Sequence, residues 1–156
     1  MRRKDREVTD PEKIEAIIGS CHCCRLGFYD NGSVYIVPLS FGYEKHGEKR
    51  VFYFHSAMEG RKIDLIKTGQ AVGFEMDANY ELRQAVDACG YTAVFQSIIG
   101  TGKVSLVETI EEKIHGLKQI MFHNTGKTEW TFLPKVLEHV SVFKLEVSEL
   151  SCKEHE

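Results

Sequence analysis

Apolar positions along the chain alternate between two spacings, and the switches mark the elements. Thr9 or Asp10 caps a predicted helix whose first turn holds Pro11 and Glu12; Ile14, Ile17 and Ile18 share one face, and Gly19 is the expected stop. A strand is predicted at about Cys24–Tyr29, then a tight turn at Asp30-Asn31-Gly32-Ser33, whose residues tolerate positive φ. The return strand spans about Val34–Tyr43, and Pro38 marks an edge, a bulge or a break in it. Val51–His55 is apolar on both faces until the histidine and reads as a central strand. Ser56-Ala57-Met58-Glu59 fits a capping box for a helix carrying Ile63, Leu65 and Ile66 and ending at Gly69.

Ala71–Met76 reads as a strand, Asp77–Gly90 as a polar loop or irregular helix, and Tyr91–Ile99 as a long strand. Gly100-Thr101-Gly102 is a kink or bulge, with Lys103–Val107 continuing beyond it. Thr109-Ile110-Glu111-Glu112 is a second capping box, opening a helix with Ile114, Leu117, Ile120 and Met121 on one face and closing near Asn124–Gly126. A short helical segment at about Phe132–Glu138 leads to a last strand, where Phe143, Leu145 and Val147 oppose Lys144 and Glu146. Six or seven mostly antiparallel strands with three or four helices make an α+β domain, mainly β, built on a sheet or barrel. No repeat or linker divides residues 1–156, so one domain is expected, with loosely ordered tails at 1–8 and 151–156.

Composition narrows the function classes. Lys and Arg number 20 against 23 Asp and Glu, a net charge of −3, which gives no electrostatic basis for nucleic-acid binding. No apolar run approaches the ~20 residues that span a bilayer, and the basic start is followed by Asp5, Glu7 and Asp10 in place of a signal segment. A cytoplasmic protein without membrane attachment is expected. The five cysteines are an odd set; Cys21 and Cys24 form a C-x-x-C without the second pair a zinc site needs, so they read as buried thiols and no metal is expected.

The most informative stretch is His55-Ser56-Ala57-Met58-Glu59-Gly60-Arg61-Lys62. It joins a strand end, a helix start, a glycine and two cations, the ingredients of a phosphate site. The same residues also fit a solvated helix face and a satisfied sheet histidine. Gly126-Lys127-Thr128 lacks the glycine of a P-loop five residues earlier, where Met121 stands. Gly100-Thr101-Gly102 lacks the context of a dinucleotide fingerprint. His115, His123 and His139 lie on helical stretches and read as surface or interface residues.

Three stretches in order, Tyr35–Tyr43, Phe52–Lys62 and Phe95–Val104, resemble the pyridoxamine 5′-phosphate oxidase-like flavoproteins, and within them the 5-nitroimidazole-resistance proteins. The resemblance covers about Leu26–Val147. It implies a split β-barrel that forms a homodimer with FMN at the subunit interface. By matching positions, it implies that Arg61 and Lys62 hold the phosphate and that His55 and Ser56 border the flavin. Val37, Pro38, Leu39 and Ser40 would lie along the ring, with Gln96 and Ser97 near the phosphate. His55 matches the histidine regarded as the active-site residue of the resistance proteins. Trp130 is left either against the flavin across the dimer or in the core. Gly60 stands where the oxidase has a serine before its Arg-Lys pair, and the C-terminal motif for the pyridoxine substrate is missing, which disfavours vitamin B6 oxidation.

The resemblance therefore implies an FMN-dependent oxidoreductase that passes electrons from NADH or NADPH to a small acceptor such as a nitroaromatic. A flavin-binding module without robust turnover needs the same pocket, and a haem with His55 as axial ligand is a third possibility.

Overall fold

The alternating segments become strands of one antiparallel sheet in the computed structural model, which describes residues 3–156. In chain order the elements are β1 (Glu7–Val8), α1 (Pro11–Ser20), β2 (Cys24–Asp30), β3 (Ser33–Leu39), β4 (Gly42–His46) and β5 (Lys49–Ser56). There follow α2 (Arg61–Lys67), β6 (Ala71–Arg83), β7 (Thr92–Leu106), α3 (Ile110–Thr125), α4 (Pro134–His139) and β8 (Ser141–His155). The strand order is β3-β2-β6-β7-β8-β5-β4, with β1 added beside β8. The two edges, β3 and β4, are consecutive in the chain and joined through Ser40 and Phe41. The sheet therefore curls on itself and stays open between its first and last strands, giving an α+β split barrel.

Inward positions fill that curl. Leu26, Phe28, Phe52, Phe54, Phe74, Met76, Ile98, Phe143 and Leu145 are all buried in one cluster, capped by Ile14, Ile17 and Ile18 of α1. A second cluster joins Val51, Tyr53 and Val142 to Leu117, Ile120 and Leu137 of α3 and α4. Helix α3 lies so close to β4 that a Cβ on Gly42 would stand 2.4 Å from the Gln119 carbonyl carbon and the Ile120 nitrogen. A side chain there is excluded by backbone, which explains the glycine.

The helix starts follow the sequence in two cases. Asp10 accepts from the Glu12 N–H, and Thr109 accepts from the Glu112 N–H. Gly126, at φ 71°, closes α3. Three expectations are corrected. Gly19 does not stop α1, which ends at Ser20. The Ser56–Glu59 capping box does not form: Ser56 belongs to β5, and α2 starts after Gly60 with no side-chain cap. The stretch taken for a loop at Asp77–Gly90 is strand as far as Arg83, crossing a register shift between Ala78 and Glu81 where Asn79 takes φ 54°.

Two further differences concern strand lengths. The single return strand splits into β3 and β4 just after Pro38, which sits on the sheet edge as its missing N–H requires. The expected loose tail at 151–156 is instead the end of β8, paired through His155 with β7 and through Lys153 and Cys152 with β1. Of the expected N-terminal tail, residues 1–2 lie outside the described residues, and Glu7 and Val8 form β1. All five cysteines are free thiols. No helix among the described residues is long and apolar enough to cross a membrane.

Candidate functional site

The opening between β3 and β4 is flanked by the residues that matter most. Gly42 of β4 pairs with Tyr53 of β5, and extending that register by two positions sets Ser40 opposite His55. At the other end of β3, the Tyr35 ring carries the Arg61 guanidinium at 4.5 Å. From Tyr35 to Ser40 the chain spans five residues, about 16 Å of extended backbone. One side of β3 has no strand partner over this length. The cleft thus has a strand edge as its wall, His55 and Ser56 at one end and Arg61 at the other. Val37 and Leu39 are half-buried, while Pro38 and Ser40 are exposed.

His55 is the last outward-facing residue of β5 before the strand ends, and it pairs with Val142 of β8. Its imidazole is exposed and makes no hydrogen bond among the described residues. Ser56 pairs with Ser141. The chain then loops to Gly60, whose φ of 118° suits glycine alone, and enters α2 without a side-chain cap.

Arg61 and Lys62 diverge. The Arg61 Nε–H donates to Asp30 Oδ2 at 2.7 Å, and Nη2 makes an ion-pair contact with the same oxygen at 2.7 Å. Lys62 is half-buried, its ammonium 5.9 Å from the Phe143 ring, and it has no acidic partner among the described residues. Burial alone pushes its pKa below the ordinary lysine value. A partly desolvated cation without a counter-charge is costly to the fold and can accept an anion.

Gln96 and Ser97 are not brought to this corner within one chain. Ser97 pairs with Lys153 and His55 with Val142, eleven residues apart on β8, or roughly 35 Å of strand path. Gln96 is engaged at both ends of its amide: Asn79 donates to its Oε1 at 2.6 Å, and its Nε2 donates to Glu154 at 2.6 Å. Glu154 also pairs with Lys13 and lines a cavity of about 580 Å³ with Arg6 and His155. The Trp130 indole N–H donates to Lys127 O at 2.9 Å. His123, expected at the surface or an interface, is half-buried against Phe41 and bonded to the Cys21 carbonyl, and burial lowers its pKa.

Two residues escaped the sequence reading. Asp30 reads from the sequence as a turn residue and Tyr35 as the start of the first resembling stretch, with no role of its own, yet both hold Arg61. The turn chemistry at Asp30–Ser33 signals the hairpin, but nothing local links it to a helix thirty-one residues later.

Fold and cleft together define a split-barrel protein with a cationic corner at the open seam of its sheet. The profile of the pyridoxamine 5′-phosphate oxidase family matches residues 10–154, nearly the whole chain. The chain belongs to that family. It is similar to the structure of a candidate 5-nitroimidazole antibiotic resistance protein from Bacteroides thetaiotaomicron: 31% identity over 95% of this chain and 86% of that one, TM-score 0.81. The flavocytochrome Anf3 of Azotobacter vinelandii shares the fold at 21% identity, covering 100% of this chain and 72% of that one, TM-score 0.79. An FAD and heme binding protein of Mycobacterium smegmatis does so at 13%, covering 97% and 74%, TM-score 0.78. A search of the curated proteins finds no match.

Proposed function

We propose that this protein is an FMN-dependent oxidoreductase that passes electrons from a nicotinamide cofactor to a small acceptor such as a nitroaromatic. One observation carries the reading: α2 opens on two cations, the half-buried Lys62, without an acidic partner among the described residues, and Arg61, whose guanidinium lies over Tyr35 near one end of an unpaired strand edge. A cofactor with a phosphate at one end and a planar ring at the other fits that layout. Lys62 and Arg61 hold the phosphate, β3 from Val37 to Ser40 runs along the ring, and His55 and Ser56 border it. Flavin, when bound, supplies a ring that accepts a hydride and releases electrons. His55, exposed and without a bonding partner, is free to hold or deliver a proton at the acceptor. The candidate nitroimidazole-resistance relative at 31% identity supports this choice of acceptor. The flavin-binding relatives support the cofactor class.

The reading includes a homodimer. Gln96 and Ser97 reach a phosphate-binding corner only if it belongs to a second copy, because Lys153, opposite Ser97, is ten positions along β8 from Phe143, beside which their own Lys62 sits. The outward face of β2 and β3 supports it: Tyr29, Val34 and Ile36 are 65%, 69% and 62% exposed beside the bare backbone of Gly27 and Gly73.

Anaerobic mixing of the flavin-loaded protein with NADH or NADPH tests the proposal. Bleaching of the flavin band, followed by recovery when a nitroaromatic is added, is the expected result. Absence of bleaching with either donor points to a binding module, and a haem Soret band in the protein as isolated points away from flavin altogether.

A further inference from the structure

Within the proposed FMN site, Arg61 and Lys62 present different charges to a ligand. Lys62 has no acidic partner among the described residues. Arg61 is already engaged. Its Nε and Nη2 form the side edge of the guanidinium fork, an edge that grips phosphate or carboxylate in parallel, and both nitrogens lie 2.7 Å from Asp30 Oδ2. The Tyr35 ring supports one face of the guanidinium at 4.5 Å. Asp30 is well held for this task. Its Oδ1 accepts from the Asn31 amide, its carbonyl accepts from the Ser33 hydroxyl, and its side chain is 18% exposed against 54% for Arg61.

We infer that Asp30 is an internal competitor for the cofactor phosphate, setting how tightly phosphorylated flavins are held by occupying the gripping edge of Arg61. The inference rests on the proposed FMN site and adds to it a residue outside those that the resemblance implies. A phosphate reaching this corner meets Lys62 at full charge and Arg61 at a charge largely offset by Asp30. It must either share the guanidinium through its remaining N–H groups or displace the carboxylate. Either route costs free energy that riboflavin, having no phosphate, never meets. The consequence is a flavin that exchanges more readily than two free cations would allow.

The test compares FMN and riboflavin titrations, followed by quenching of flavin fluorescence at one ionic strength. The proteins are the wild type, Asp30→Asn, Arg61→Ala and the double variant. Asparagine suits the first position of this turn, so the hairpin is retained, and the melting temperature of the flavin-free protein checks it. Glu112→Gln removes one carboxylate charge at the Lys144 pair on α3, apart from the residues proposed to hold the cofactor, and serves as the control. Asp30→Asn is expected to bind FMN about fivefold more tightly, the effect of removing one partly exposed competing ion pair. Riboflavin affinity stays within about twofold, and the gain shrinks in the Arg61→Ala background. Unchanged or weaker FMN binding by Asp30→Asn overturns the inference, as does an equal gain without Arg61. If the wild type itself holds FMN no better than riboflavin, the phosphate anchor fails first and the inference falls with it.

Discussion

Replacing Lys62 by methionine separates a binding role from a structural one, because the two make opposite predictions. Methionine keeps the length and apolar contact of the stem near Phe143 but removes the ammonium. Burial depresses the Lys62 pKa below its ordinary value, so the folded chain binds that proton less tightly than the unfolded one. At neutral pH the charge therefore subtracts from stability, and the penalty fades only as pH rises toward the lysine range. Lys62→Met should consequently leave the flavin-free protein as stable as wild type or raise its melting temperature.

Binding moves the other way. A hydrogen bond to a charged group contributes about 1.5–3 kcal/mol, which corresponds to a loss of about 10- to 150-fold in FMN affinity. Riboflavin affinity should change little. Titrations of flavin-free protein with both ligands, beside thermal melts, give all three quantities. A variant that melts at a lower temperature and keeps its FMN affinity would refute the reasoning, since Lys62 would then be a structural cation. If the double change of Arg61 and Lys62 to alanine also retains FMN as tightly as wild type, the whole corner is misassigned.

Four other outcomes follow from the geometry. His55→Gln should retain flavin and its reduction by the nicotinamide donor but slow electron delivery to a nitroaromatic, measured as reoxidation of the pre-reduced protein; unchanged reoxidation removes His55 from the chemistry. Gly42→Ala forces a Cβ to within 2.4 Å of the α3 backbone, and should cost at least 2 kcal/mol in urea denaturation; a neutral result would mean α3 can withdraw freely. Ile36→Lys places a charge on the exposed face of β2 and β3, and in sedimentation should yield a monomer with weakened flavin binding; a stable dimer locates the interface elsewhere. Burial pushes the Cys21 thiol up to about 12 and Cys24 higher still, so both stay protonated and unreactive from pH 7 to 9. A maleimide should therefore label the exposed Cys89 first and reach Cys21 and Cys24 only on denaturation.

What the sequence reveals depends on how local the determining interactions are. Asp10 with Pro11, Thr109 with Glu112, and Gly126 each act within one turn of helix, and each marks a boundary correctly. Asn31-Gly32 supplies the two positive φ values of the β2–β3 turn. The failures come where tertiary pairing overrides local preference. Glu81–Arg83 holds a single apolar residue, the exposed Leu82, yet it is strand because Thr92–Val94 lies beside it. Ser151–His155 is polar apart from the buried Cys152, yet both β7 and β1 engage it. Ser56 has capping chemistry, but its backbone is claimed by Ser141 across the ladder. At the site, the motif from His55 to Lys62 was visible because it is contiguous, whereas Asp30 and Tyr35 reach Arg61 only through the fold.

The location of the cleft follows from the same pairing rules. A sheet that curls without closing leaves two edges, and an exposed edge invites pairing with other chains. Here the edges are successive strands, so the Ser40-Phe41 link holds them together at one end and lets them part beyond it. Pro38 removes a donor from the β3 edge, which weakens it as a template for a further strand. What remains is a β3 edge short of one donor, with the Arg61 guanidinium over Tyr35 near its far end. In the proposed function, the proline that blunts this edge against strand pairing also leaves it open along the cofactor ring. Pro38→Ala, which restores the missing donor, should therefore raise the tendency of flavin-free protein to aggregate, and bound FMN should suppress that tendency; equal aggregation with and without FMN would uncouple the edge from the site.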